Sequence, residues 1–215
     1  MTFTPCMAQA VLYTKKLAPA IASVIEFGNQ RYTAWSVAPA DSTVDFYHRA
    51  GIVQYLALDV NTRMSAIVAD LNSPVDLPPV DLVTNNGTGE HIFDQASVFR
   101  NAHDLCAVGG FMIHCLPMTP WVNHGFYNYN PILFRDIAAA NGYKVHWLSL
   151  CSRFEMGWNI SSEAWPFVEK RPTELIDAMR SINGEIMICV IWQKLLDGRF
   201  RTPIQGKYLK DVEGA

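Results

Sequence analysis

The chain of 215 residues has no Cys-x-x-Cys pair, and its five cysteines, Cys6, Cys106, Cys115, Cys151 and Cys189, are odd in number and widely spaced. That spacing suits reduced thiols in a cytoplasmic protein better than a disulfide framework or a cysteine-held zinc site. No two histidines stand four residues apart, as they would on a metal-binding helix face, so the sequence assigns no metal. Long apolar runs are missing too: Ile186-Met-Ile-Cys-Val-Ile-Trp192 is among the longest, far short of the roughly 20 residues that cross a bilayer. Lys15 and Lys16 interrupt the first apolar stretch, so no secretory leader is read and no membrane partner is expected. Charge of one sign is scarce: only 17% of residues are charged and the net charge is −3, which gives no field for a polyanion and makes nucleic acid an unexpected partner. The absence of a Gly-x-Ser-x-Gly elbow removes a serine nucleophile of the hydrolase type.

Half of the residues are hydrophobic, and the length suits one sizeable core, so the chain reads as a single domain over 1–215. An irregular insertion near 151–171 and a tail over 199–215 are set apart by composition. Short, continuous apolar runs at 23–27, 55–58, 65–69, 80–84, 110–115, 144–150 and 185–193 indicate strands covered on both faces. Helices are expected over 4–17, 92–106, 131–141 and 172–180. The third of these is bounded by Pro131 and by Asn141-Gly142. The fold class is α/β, with a Rossmann-like, seven-stranded, mostly parallel sheet and helices on both faces.

Three of the apolar runs end in acids. Ser23-Val-Ile-Glu-Phe-Gly28 closes on Glu26 and Gly28, Tyr55-Leu-Ala-Leu-Asp59 on Asp59, and the third run is followed by Asp70 and Leu71. Ligands of open α/β sheets sit beyond the carboxyl ends of the strands, where a glycine admits the backbone and an acid accepts ribose hydroxyls. A nucleoside-containing cofactor is therefore expected, with the three carboxylates around one hollow. After Gly28 come Asn29-Gln30-Arg31-Tyr32 instead of further glycines, which argues against a dinucleotide, whose phosphates need a bare loop.

Val24-Ile-Glu-Phe-Gly28, Ala57-Leu-Asp59, Ala69-Asp-Leu71 and Asp81-Leu-Val-Thr84, in that order, resemble the class I S-adenosylmethionine-dependent methyltransferases over residues 23–150. The segments 84–90, 103–104, 124–131 and 140–143 are similar to a bacterial methyltransferase-like subgroup of that family. The resemblance implies S-adenosylmethionine as cofactor. Its methionine part would lie at Glu26 and Gly28, with Asn29 and Asn86 as polar wall. The ribose would lie at Asp59, and the adenine at Asp70 and Leu71.

Asn85-Asn-Gly-Thr-Gly-Glu-His91 is dense in turn formers and sits where a wall of an active site is expected, with Thr88 as cap of the helix that follows. Pro117 to Pro131 packs His124, Tyr127, Asn128 and Tyr129 into a stretch with little helical character. Methyl transfer needs aligned reactants and removal of a proton, for which a neutral imidazole is suited. His124 is the first candidate base and His91 the second, with Glu90, Tyr127, Asn128 and Tyr129 for the acceptor. Aromatic segments 121–129 and 158–165 are expected to cover it. His103, His114 and His146 fall on core elements. The expected reaction is O- or N-methylation of a small or medium polar molecule. The alternative is a catalytically silent binding or assembly subunit, motivated by the eroded glycine turn, and a homo-oligomer or a protein partner stays open.

Overall fold

The computed structural model describes residues 2–61, 66–159 and 184–209. Its elements are β1 (Thr2–Phe3), α1 (Pro5–Leu17), β2 (Ser23–Phe27), β3 (Arg31–Tyr32), α2 (Thr43–Arg49), β4 (Gln54–Asp59), β5 (Ile67–Val68), β6 (Val80–Asn86), α3 (Gln95–Asp104), β7 (Cys106–Thr119), α4 (Pro131–Asn141), β8 (Lys144–Cys151), β9 (Trp158–Asn159) and β10 (Ile186–Gln193). The main sheet has the order β5-β4-β2-β6-β7-β10-β8-β9. Pairing is parallel from β5 to β7, while β10 runs antiparallel to both of its neighbours. The seven expected strands are present, and the two-residue β9 extends the β8 edge. A separate parallel pair, β1 with β3, fixes the segment that follows Gly28 to the start of the chain.

Alternation along the strands builds two cores. Ile25, Phe27, Val83, Met112 and Trp192 face α3 and α4, whereas Val24, Leu82, Phe111, Ile113 and Cys189 face α1 and α2. Each fully buried aliphatic or aromatic side chain of this kind stabilises the fold by about 1.5–3 kcal/mol. All five cysteines are free and buried.

Helix α4 matches its expected bounds because Pro131 needs no N–H partner in the first turn and Gly142 takes the left-handed conformation, φ 64°, that ends the helix. Helix α3 starts later than its apolar rhythm suggests. Residues 89–91 form a 3-10 turn, and Asp94 caps the helix by accepting from the Ser97 N–H at 3.0 Å. Thr88 is not the cap: its hydroxyl donates to the Phe27 carbonyl at 2.6 Å and ties the β6 turn to the tip of β2. Helix α2 was not anticipated. It is short, started by Ser42 accepting from Asp45 N–H, and it buries Phe46 and Tyr47. Strand β5 is only two residues long. The expected helix over 172–180, and the insertion beyond Asn159, lie outside the described residues.

The tail, as far as Leu209, runs over α4. The Arg201 N–H donates to Asn141 Oδ1 at 2.7 Å, and the Gly206 N–H to Asp136 Oδ2 at 3.1 Å. Among the described residues no helix is long and apolar enough to cross a membrane.

Buried Lys194 joins the end of α3 to the start of β7. Its Nζ donates to the carbonyls of His103 and Cys106 at 2.9 and 3.0 Å. Lys194→Met keeps the apolar stem and leaves both carbonyls without this partner, so urea unfolding should show a loss of about 1–3 kcal/mol. An unchanged midpoint would mean that water replaces the ammonium.

Candidate active site

Beyond the carboxyl ends of β6 and β7 lies a cavity of about 470 Å³, lined in part by Arg31, Asn86, Glu90, His91, Trp121 and His124, while Gly28, Asn29, Asp59, Asp70 and Leu71 are not among its lining residues. Its floor is the turn after β6. Asn85 Oδ1 accepts from the Gly89 N–H at 2.9 Å, and Gln95 Nε2 donates to the carbonyls of Gly89 and Ile92 at 2.8 and 2.6 Å. The segment after β7 crosses this turn at very close range. The Phe126 N–H donates to the Glu90 carbonyl at 2.8 Å, and a Cβ on Gly125 would stand 2.8 Å from Glu90 Cγ and 2.9 Å from its carbonyl oxygen. Only glycine permits that approach.

The crossing brings together two candidates from distant parts of the sequence. His124 Nε2 is 3.3 Å from Glu90 Oε1, and His91 Nε2 is 3.9 Å from the same oxygen. Glu90 is 1% exposed, and among the described residues no side chain donates a hydrogen bond to its carboxylate oxygens. Burial pushes its carboxyl up to about 7. Burial, followed by the nearby His124, holds the His91 imidazole below its ordinary value. His124 packs on Trp121 with ring centroids 4.7 Å apart. Trp121 is held in turn by its Nε1 donating to the Ile186 carbonyl at 2.9 Å, with the Arg153 guanidinium 5.1 Å from its ring centroid. The chemistry open to such a cluster is proton exchange near neutrality or ligation of a cation.

The other candidates are placed less uniformly. Gly28 has φ 76°, and its N–H donates to the Leu58 carbonyl at 2.7 Å. Asp59, at the tip of β4, accepts from the Asn29 N–H at 2.9 Å and from the Asn61 amide at 2.7 Å, closing the loop between the tips of β2 and β4. Asp70 accepts from the backbone and side chain of Asn72 in an exposed turn, while the adjoining Leu71 is buried in the α3 and α4 core. Asn86 donates to the Thr2 carbonyl at 3.1 Å. Its own carbonyl accepts from Gln30 Nε2 at 3.0 Å.

The expected common hollow does not form, because Glu26 is on the other face. The pleat that turns Ile25 and Phe27 toward α3 turns Glu26 toward α2, where it is fully buried. There Tyr55 and Tyr47 donate their hydroxyls to it at 2.7 and 3.3 Å. Tyr127, Asn128 and Tyr129 line a second cavity, of about 380 Å³, between the start of α4 and Pro203 and Gln205. The Tyr127 hydroxyl donates to the Phe93 carbonyl at 2.9 Å, and that of Tyr129 to Gln95 Oε1 at 2.7 Å. His103 and His114 are buried: His103 joins Tyr143 and the Gly198 carbonyl, and His114 joins Asn85. Thr2, Arg31 and Arg153 line the first cavity without having been singled out. For Arg31 the signal was the alternation of an exposed Arg31 with a buried Tyr32 just past Gly28.

Comparison with solved structures bears on the fold. The [4+2]-cyclase SpnF is 9% identical, with a TM-score of 0.56 over 89% of this chain and 82% of that one. An O-methyltransferase from a trans-AT PKS multienzyme of Brevibacillus brevis, in complex with S-adenosyl-L-homocysteine, is 9% identical with a TM-score of 0.54, over 86% of this chain and 71% of that one. Burkholderia thailandensis 1,6-didemethyltoxoflavin-N1-methyltransferase, with its substrate and S-adenosylhomocysteine, is 8% identical with a TM-score of 0.53, over 87% and 77%. This is the class I methyltransferase fold. No protein-family model and no curated protein matches the sequence. The methyltransferase fold also serves a cyclase, so the reaction must be argued from the site.

Burial raises the Glu26 carboxyl from about 4.5 to about 8, so the folded protein keeps a proton that the unfolded chain has lost between those values. The contribution of Glu26 to stability is therefore fully present below pH 4.5, is lost as pH rises to 8, and is absent above it. In thermal unfolding from pH 5 to 9, the stability difference between the protein and Glu26→Gln should shift against the protein as pH rises, because the variant lacks this titration. An equal slope in both proteins would contradict the assignment.

Proposed function

We propose that this protein transfers a methyl group from S-adenosylmethionine to an oxygen or nitrogen of a small or medium polar acceptor. The observation that carries the reading is the buried Glu90 beside His124, in a cavity at the carboxyl ends of β6 and β7. Ligands of such sheets collect there. Two of the solved neighbours with this fold are O- and N-methyltransferases crystallised with S-adenosylhomocysteine, the product left by S-adenosylmethionine.

In this reading the adenosyl group lies across the tips of β2 and β4, with Asp59 accepting from the ribose hydroxyls and Asn29 beside it. Gly28 lets the backbone pass under the methionine part. Asn86 borders both this groove and the cavity, so the sulfonium faces Glu90 and His124. The acceptor's lone pair forms a bond to the methyl carbon while the carbon–sulfur bond breaks, leaving a neutral thioether. The acceptor's proton goes to the Glu90 and His124 cluster. The protein's contribution is alignment, exclusion of water and uptake of that proton.

A second reading is favoured by Gln30. Its fully buried side chain reaches between the Phe27 and Asn86 carbonyls, at 3.4 and 3.0 Å, across the crevice where β2 and β6 diverge. A chain that keeps this crevice filled would act as a binding subunit without turnover. Calorimetric titration with S-adenosylhomocysteine separates the two. Saturable binding, weakened about tenfold or more in Asp59→Ala, supports the transferase. No heat at millimolar ligand overturns it and leaves the binding subunit.

A further inference from the structure

We propose that Glu90, His91 and His124 form a site for one divalent transition-metal ion, of the zinc, cobalt or iron class, open toward the 470 Å³ cavity. One ligand atom from each side chain lies within 4.8 Å of the other two. Glu90 Oε1 is the shared vertex, 3.3 Å from His124 Nε2 and 3.9 Å from His91 Nε2. Ligand atoms held about 2.1 Å from a common ion at tetrahedral or octahedral angles stand about 3.0–3.4 Å apart. One pair already has that spacing, and small side-chain rotations bring in the third.

An independent observation points to a cation. Both oxygens of Glu90 are buried, and among the described residues no side chain donates a hydrogen bond to them. A carboxylate so placed is costly unless something positive or protic meets it, and among the described residues its ion-pair partners are the two imidazoles. A metal ion between the three groups offsets that cost. Two imidazoles with one carboxylate select a borderline transition ion over magnesium or calcium, which take oxygen ligands. Three protein ligands leave further coordination positions for an acceptor atom. The scaffold is built to hold them. The 3-10 turn fixes Glu90 and His91, Gly125 seats the second loop on the Glu90 backbone, and Trp121 packs on the His124 ring.

The role of the ion rests on the methyl-transfer reading. Bound to it, the acceptor's hydroxyl oxygen becomes more acidic. The O–H proton would leave to solvent in the cavity, and the electron pair on oxygen would form the bond to the methyl carbon as the carbon–sulfur bond breaks. With the ion bound, Glu90, His91 and His124 hold it and do not carry the proton.

The test loads the purified full chain with Zn²⁺ or Co²⁺ after chelation, and measures stoichiometry by elemental analysis, affinity by calorimetry and ligand type by the Co²⁺ absorption spectrum. One equivalent is expected, with a nitrogen and oxygen ligand spectrum. Glu90→Gln and His124→Ala should weaken binding about 100-fold, with circular dichroism confirming that both variants fold. Sub-stoichiometric binding, an affinity unmoved by either variant, or a thiolate charge-transfer band from the Cys6, Cys115 and Cys189 cluster would overturn the site. Titration with S-adenosylhomocysteine in the same samples keeps the questions apart. Metal binding without nucleoside binding removes the transferase and leaves the site, and the reverse removes only the site.

Discussion

A carboxylate shielded from water on both oxygens is among the most demanding groups a fold can hold, because its desolvation costs several kcal/mol unless charge or hydrogen bonds compensate. Glu90 is held in that condition by backbone and not by choice of rotamer alone. Its turn is anchored to β6 through Asn85 and to α3 through Gln95, and its carbonyl is bonded from the segment that carries His124. Removing the close approach of Gly125 would separate the acid from the imidazole. The arrangement of β6, β7 and their two loops follows from keeping that one group buried beside a partner, and such stored cost is characteristic of sites that act.

The sheet decides where this cluster can be used. Parallel pairing from β5 to β7 sends every carboxyl end to one edge, and the antiparallel β10 brings Met187 to the same edge, where it lines the cavity. Strands β2 and β6 are neighbours whose connections leave in opposite directions, which makes the crevice between their tips the natural ligand groove. Gln30 now bridges that crevice, and Asp59 holds the loop beside it. On the proposed reading, ligand entry exchanges hydrogen bonds of the protein for hydrogen bonds to the cofactor, which favours a modest affinity.

Much of this was legible in the residues. Strand β2 and helix α4 have the bounds that their apolar runs and punctuation indicate, since Gly28, Pro131 and Gly142 each impose one backbone geometry. The strand-end acids were visible, but which face each would see was not. Glu26 sits one residue before Phe27, and the pleat puts it against Tyr47 and Tyr55. Helix α2 is too short for a periodic signal, and its capping Ser42 was the available mark. Tyr127 and Tyr129 share a loop with His124 but turn to Phe93 and Gln95, because loop direction depends on contacts that spacing does not encode. The meeting of Glu90 with His124 had the same obstacle: a search for ligands at helical spacing passes over groups that two loops bring together.

The central claim is that the strand tips hold the adenosyl group and aim its sulfur at Glu90 and His124. A crystal structure grown with S-adenosylhomocysteine tests it most directly. The account predicts the ribose on Asp59, Gln30 withdrawn from between Phe27 and Asn86, and the sulfur open to the cavity beside Glu90. Density for the ligand elsewhere, with Gln30 still bridging the crevice, would contradict it.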